Sequence, residues 1–173
     1  IKDVNTDYTD LVQEQGWVDD VLANLDHAAT STRLQFYCVL LTNDAYETEL
    51  YAKVKKDYNQ WMSTLGEAID DPEIKRLYTQ LDEIGKNYVQ KADALVQMRQ
   101  QGTLIADSDD GLAQIGNEWT AVYEKIKERQ YEQVRTYIEK VHVSTKQVER
   151  LILIISILAL VIGFGIATVL GRH

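Results

Sequence analysis

The sequence holds one cysteine, one proline and nine glycines among 173 residues. A lone Cys38 excludes an intrachain disulfide and leaves the redox compartment open. It stands among Tyr37, Val39 and Leu40, as a small apolar filler would. So little proline and glycine disfavours a turn-rich β-sandwich, a collagen-like chain or a low-complexity chain. Basic residues are scarce too. There are 18 Lys and Arg against 27 Asp and Glu, a net charge of −9. Nucleic-acid binding needs a basic face, so no nucleic-acid partner is expected. No glycine-rich phosphate loop, nucleophile elbow or Cys/His metal spacing occurs, which points away from an enzyme and from any cofactor or metal. His27 and His142 fall roughly 25 Å apart along a bundle axis, too far to share a metal. Glu139 and His142 make one Glu-x-x-His pair, where a di-iron bundle needs two such pairs and further carboxylates.

What is present is mostly helix signal. Hydrophobic residues are 45% and charged residues 26%, enough apolar surface for one packed domain or two small ones. All 27 acids and 17 of the 18 Lys and Arg lie in residues 1–150, which therefore carry −10. Residues 151–170, LILIISILALVIGFGIATVL, contain no charge. About 20 apolar residues cross ~30 Å of hydrocarbon as a helix, so this stretch reads as a transmembrane helix. A signal peptide would be N-terminal instead. The chain begins at Ile1 and ends three residues past this stretch, and we expect both ends to continue in a longer protein.

Val4, Tyr8, Leu11, Gln15, Val18, Leu22, Leu25, Ala29, Thr32, Phe36 and Val39 alternate four and three apart. That heptad predicts one long helix over 1–42, packed as in a coiled coil. Thr42-Asn43-Asp44 breaks it, and Asp44 with Glu47 has the spacing of a capping box. A second helix carries Leu50, Val54, Trp61, Leu65 and Ile69 on one stripe. Asp71 as N-cap and Pro72 at the first helical position open a third. Its stripe is Ile74, Leu77, Leu81, Ile84, Tyr88, Ala92 and Leu95, and it stops at Gly102. After a loop over 103–107, Ser108, Asp109 and Asp110 suit the positive end of a fourth helix. Leu112, Ile115, Trp119, Val122 and Ile126 form its stripe, which resumes as Val134, Ile138, Val141, Thr145 and Val148 after a four-residue stutter. No proline or glycine interrupts 117–162, so this helix is expected to run into the membrane. Helices 1 and 4 would each have ~60 Å outside it, with a shorter hairpin of helices 2 and 3 between them. The expected fold is all-α, an antiparallel up-down-up-down four-helix bundle continuing into a transmembrane helix. A first span would precede Ile1.

This layout resembles the four-helix-bundle periplasmic sensor domain of bacterial methyl-accepting chemotaxis proteins of the aspartate-receptor type. The resemblance covers the whole chain and rests on helix lengths, loop positions and the C-terminal span. It implies a chemoreceptor in the bacterial inner membrane, with residues 1–150 periplasmic. Residues 151–170 would be its second transmembrane helix and 171–173 the start of a cytoplasmic HAMP linker. It also implies a homodimer through helix 1 and a small-molecule ligand near the membrane-distal end, between helices 1 and 4 of facing subunits. A small displacement of helix 4 would carry the signal. Related bundles occur in sensor histidine kinases. The segment Ala29–Tyr37, with small residues before Arg33 and then Gln35 and Tyr37, loosely resembles the nitrate-sensor kinase motif. It lacks that motif's glycine after the alanine and methionine after the arginine. A membrane-anchored bundle with only a structural or partner-binding role is the reading from a different class.

Arg33 is the most informative soluble residue. No other Lys or Arg lies between Lys2 and Lys53, and seven acids precede it. Its neighbours three and four residues away are Ala29, Thr30, Phe36 and Tyr37, so it has no carboxylate partner within the helix. A guanidinium gives planar, two-point recognition of a carboxylate or nitrate. An interhelical salt bridge or a solvated side chain would use it structurally instead. Counting down from the apex puts Arg33 level with Trp119. Thr120 and Tyr123 are adjacent and Asn117 half a turn above. The candidate ligand-binding residues are therefore Arg33, Tyr37, Asn117, Thr120 and Tyr123, for an organic acid, amino acid or other anion, while Trp119 belongs to the core stripe. In the apolar stretch, Ala159, Gly163 and Ala167 recur every four residues, as in close helix packing within membranes.

Overall fold

The computed structural model is all-helical. It describes residues 2–103 and 110–170, with side chains for 16–103, 111–141, 143, 145, 146 and 149–156. Four helices follow one another: α1 (Lys2–Thr42), α2 (Ala45–Ala68), α3 (Pro72–Gln100) and α4 (Asp110–Leu170). Among the described residues there is no strand. The chain divides into two compact units, residues 1–131 and 132–173.

Local chemistry sets the helix boundaries. Asn43 takes a left-handed conformation (φ 52°) and its N–H donates to the Val39 carbonyl, closing α1. Asp44 is the N-cap of α2 and accepts from the Tyr46 N–H at 2.8 Å. The expected capping box is only half made. Glu47 does not reach back; it accepts from the Gln35 side chain, while the Asp44 N–H donates to Thr42 Oγ1. A longer-range partner for a buried amide displaced the local one. At the next turn Asp71 accepts from the N–H groups of Glu73 and Ile74, both at 2.9 Å, with Pro72 following it. α3 ends at Gln100, two residues before Gly102. That glycine has φ +84° and gives its N–H to Arg99, while Thr103 donates to Met98. This is the six-to-one and five-to-two pattern of a Schellman motif, whose left-handed residue strains any side chain but glycine.

Contacts along consecutive helices run in reversed order. Thr32 and Gln35 of α1 bond Val54 and Glu47 of α2. Tyr51 of α2 bonds Asp93 of α3, and a Cβ at Gly66 would meet Tyr78. Glu73 of α3 pairs with Arg129 of α4 at 3.3 Å. Two apolar clusters form the core. The larger contains Val18, Leu22, Leu25, Leu65, Leu81, Trp119 and Ile126, and the smaller Phe36, Val39, Tyr51, Tyr88, Ala92 and Ile115.

The heptad of α1 is buried from Val18 to Val39, and its first four members lie outside the described side chains. Val21, Ala28 and Gln35 are buried as well, so the inward face is wider than a coiled-coil seam. On α2 the buried residues are Tyr51, Tyr58, Met62 and Leu65, whereas Leu50, Val54 and Trp61 are only half-buried. The helix is turned toward its tyrosines because each hydroxyl meets a polar partner on another helix.

In the second unit, Arg135 pairs with Glu139 at 3.3 Å and Thr145 bonds the Val141 carbonyl. Ile138 and the run Leu151–Ile155 are each more than half exposed. Among the described residues no helix is long and apolar enough to cross a membrane. Most of the expected span falls at 157–170, whose side chains lie outside the described residues, as do those of Ala159, Gly163 and Ala167.

Candidate functional site

Arg33 sits where the two apolar clusters meet. Its guanidinium carbon lies 5.5 Å from the centre of the Trp119 ring, and Nη2 donates to Thr120 Oγ1 at 3.3 Å. Among the described residues no carboxylate forms an ion pair with it. Beside it opens a cavity of about 290 Å³, counted with its mouth. All four helices wall it: Ala29, Thr32 and Arg33 from α1, Tyr58 from α2, Gly85, Tyr88 and Val89 from α3, Gly116 and Trp119 from α4.

The space exists because small residues from three helices converge. Ala29, Gly85 and Gly116 stand together in its lining. Gly85 has a further duty. A Cβ there would collide with the Tyr58 hydroxyl, so glycine leaves the room in which that hydroxyl sits.

Arg33 and three hydroxyl side chains, Thr32, Tyr58 and Tyr88, supply the polar groups of the cavity. Tyr58 accepts a hydrogen bond from Trp119 Nε1 at 3.1 Å, which leaves its own O–H proton to donate. Burial, offset in part by the Trp119 hydrogen bond, pushes Tyr58 up to about 12, so it remains a donor at neutral pH. Thr32 spends its proton on the Ala28 carbonyl at 2.8 Å and the Val54 carbonyl at 3.2 Å. No Asp, Glu, Asn or Gln lines the space. One face of Trp119 meets Arg33, and the ring stacks on Tyr123 with centroids 5.2 Å apart and planes 10° apart.

The count from the apex matches in one respect: Arg33 and Thr120 are hydrogen-bonded, and Trp119 is core. The other candidates are placed differently. Tyr123 is buried, its O–H donates to the Leu22 carbonyl at 2.8 Å, and burial pushes its pKa up, so it acts as a core pin. Tyr37 packs on Phe36 at 5.2 Å and does not line the cavity. Asn117 is exposed and also outside the lining. Tyr58, Gly85 and Gly116 were absent from the candidates. Tyrosine at 51 and 58 repeats at seven, a signal that a purely apolar stripe passes over.

A second polar contact holds α2 to α3. Lys55 pairs with both oxygens of Asp93 at 2.8 and 2.9 Å, and Tyr51 donates to the same carboxylate at 3.0 Å. No group of three or more metal-ligating side chains occurs among the described residues. No protein-family model, curated protein or solved structure matches the chain.

Proposed function

We propose that residues 1–150 form the extracytoplasmic sensor of a bacterial chemoreceptor, binding a small anion at Arg33. The observation that carries this reading is a half-buried arginine, unpaired with any described carboxylate, beside a cavity walled by four helices. A guanidinium that faces a cavity and keeps unused N–H donors is a ready two-point partner for an anion. The reversed order of contacts between consecutive helices supports an antiparallel up-down-up-down bundle. The exposed apolar run Leu151–Ile155 opens a twenty-residue uncharged stretch, as expected of a helix entering a bilayer at the inner membrane. Signalling then proceeds by displacement of α4.

In this reading the anion lies within one subunit, whereas the resemblance puts it between facing subunits. The homodimer uses the outward face of α1. Trp17, Asp20, Asn24, His27, Ser31, Leu34, Cys38 and Leu41 follow a second four-three alternation there. Trp17, Leu34 and Leu41 are 48%, 65% and 80% exposed. The inward heptad is consumed by the subunit's own core.

Calorimetric titration of the full 173-residue chain in detergent with nitrate, propionate and aspartate tests the site. A charge-assisted pair contributes about 1.5–3 kcal/mol when partly desolvated. Arg33→Ala should therefore weaken the tightest of the three by roughly 10- to 150-fold. Unchanged affinity, with only a lower melting temperature, would assign Arg33 a purely structural role.

A further inference from the structure

We propose that the site beside Arg33 takes a monatomic anion, a halide such as chloride, held by guanidinium Nη1 and by the Tyr58 hydroxyl. The inference rests on the reading of Arg33 as an anion site and names the anion.

The two glycines of the lining set the size. The room above Gly85 is taken by the Tyr58 hydroxyl, where an added Cβ would collide. The room above Gly116 is bordered by Arg33, since an added Cβ would meet Nη1 at 3.6 Å and Cζ at 3.7 Å. The side chains around the glycines thus fill most of what the missing Cβ atoms leave. The cavity volume includes its open mouth, and the enclosed part is about the size of a water molecule or two. A chloride ion is of that size. An organic acid or an amino acid would have to stay in the mouth.

Charge decides what fills it. Arg33 carries the only formal charge in the lining. Its Nη2 donates to Thr120, while Nη1 donates to no acceptor among the described residues. The Tyr58 oxygen receives the Trp119 N–H at 3.1 Å and keeps its own proton to give. Burial raises the Tyr58 pKa and the Arg33 charge opposes it, so the two groups lie within electrostatic reach. The hydroxyl oxygens of Thr32 and Tyr88 and the rings of Tyr58 and Tyr88 also face the space. They are neutral, and a cation among them would still meet the guanidinium charge. Water fits the space but gains no charge-assisted hydrogen bond there. A halide accepts from N–H and O–H at any angle, so donors carried by α1 and α2 need share no plane. Nitrate and carboxylates present their oxygens in one plane and need donors aligned with it.

Thermal melting of the full chain in detergent, followed by circular dichroism, reads the site. Sodium gluconate is the reference salt, and chloride, bromide, nitrate and sulfate replace it at constant ionic strength. Chloride and bromide should raise the melting midpoint saturably, and sulfate should not. Arg33→Ala should weaken the chloride response by roughly 10-fold or more. Tyr58→Phe keeps the ring without the O–H and should weaken it by about 3- to 10-fold. Arg33→Lys keeps the charge and should show an intermediate loss, which serves if Arg33→Ala fails to fold. Nitrate acting through Arg33, with chloride no different from gluconate, would overturn the halide and leave the anion site standing. A chloride response equal in wild type and Arg33→Ala would be a general salt effect and overturn the halide site. Unchanged chloride affinity in Tyr58→Phe would overturn the Tyr58 contact. No Arg33-dependent response to any of these anions would overturn the anion site and the halide together.

Discussion

Two glycines on opposite walls of the cavity should respond to the same substitution with opposite sign. At Gly116 an added Cβ would meet Arg33 Nη1 at 3.6 Å, Cζ at 3.7 Å and Cδ at 3.9 Å, all ordinary van der Waals contact. Alanine in place of glycine inside a helix gains about 0.8–1 kcal/mol. Gly116→Ala should therefore raise stability by roughly that amount, about 2–4 °C in Tm for a chain of this size. At Gly85 the added Cβ collides with the Tyr58 hydroxyl. Tyr58 can retreat only by leaving Trp119 Nε1, whose N–H is then buried without its partner. Overpacking costs about 1–3 kcal/mol and an unsatisfied buried donor a similar amount, against a helix gain near 1. Gly85→Ala should thus lose about 1–5 kcal/mol. Thermal melts of the full chain by circular dichroism measure both. A shift of the same sign at the two positions would refute the assigned contacts. Chloride titration adds a second axis: Gly116→Ala should bind more weakly while melting higher, because its methyl occupies the space beside the guanidinium. A more stable variant with undiminished affinity would separate the cavity from the binding site.

High pH should unfold the protein through its buried tyrosines. Burial pushes Tyr58 up to about 12, and Tyr51 and Tyr123 are raised too, the first also by the adjacent Asp93 carboxylate. The unfolded chain releases these protons near pH 10 while the folded chain keeps them, so stability is intact below pH ~10 and falls as pH rises toward about 12. Tyr58 alone accounts for roughly 3 kcal/mol of that loss. Chemical denaturation at a series of pH values should show a shallower decline in Tyr58→Phe, and an identical slope would contradict its raised pKa. Cys38 lies on the outward α1 stripe that the dimer reading uses. In a parallel two-fold packing of α1 against its copy, Cys38 faces Cys38, so mild oxidation of the full chain should give a covalent dimer that is absent in Cys38→Ser. A chain that stays uncrosslinked at high concentration would remove that face from the interface.

Much of the helical plan is visible in the sequence because it depends on local chemistry. The four-three spacing from Val18 to Val39 needs only helix periodicity to be read as an inward face. Asp71-Pro72 and Gly102 act through their own backbone, and both helix ends fall where those residues put them. The level match of Arg33 with Thr120 follows from counting 1.5 Å steps down two helices from a shared apex. What periodicity misses is rotation and emptiness. α2 turns its tyrosines inward, since Asp93 and Trp119 on other helices satisfy their hydroxyls, and neither partner is near in sequence. Gly85 and Gly116 look like neutral helix residues until Ala29 is found beside them in the lining; only then do two glycines and an alanine become one cavity. Glu47 illustrates the same limit at a helix start, where the buried Gln35 amide won it from the backbone.

Trp119 links the cavity to α4. Its ring faces the Arg33 guanidinium, its N–H is held by Tyr58 of α2, and it stacks on Tyr123, whose hydroxyl is anchored to the Leu22 carbonyl of α1. Thr120, the next residue, accepts the Arg33 hydrogen bond and returns its own proton to the Gly116 carbonyl. Among the described residues, both the hydrogen bond and the ring contact of the guanidinium are with α4. An anion that draws Arg33 into the cavity must weaken a cation–π contact of about 0.5–2 kcal/mol and a 3.3 Å hydrogen bond, both made to that helix. The Tyr58 hydroxyl in the cavity lining holds the Trp119 N–H, so an anion that reached it would act on the same turn of α4. A ligand with no differential contact to that turn would have no means of shifting it. In the proposed sensor reading, an anion bound beside Arg33 would act on the lateral hold on α4, the helix whose displacement that reading requires.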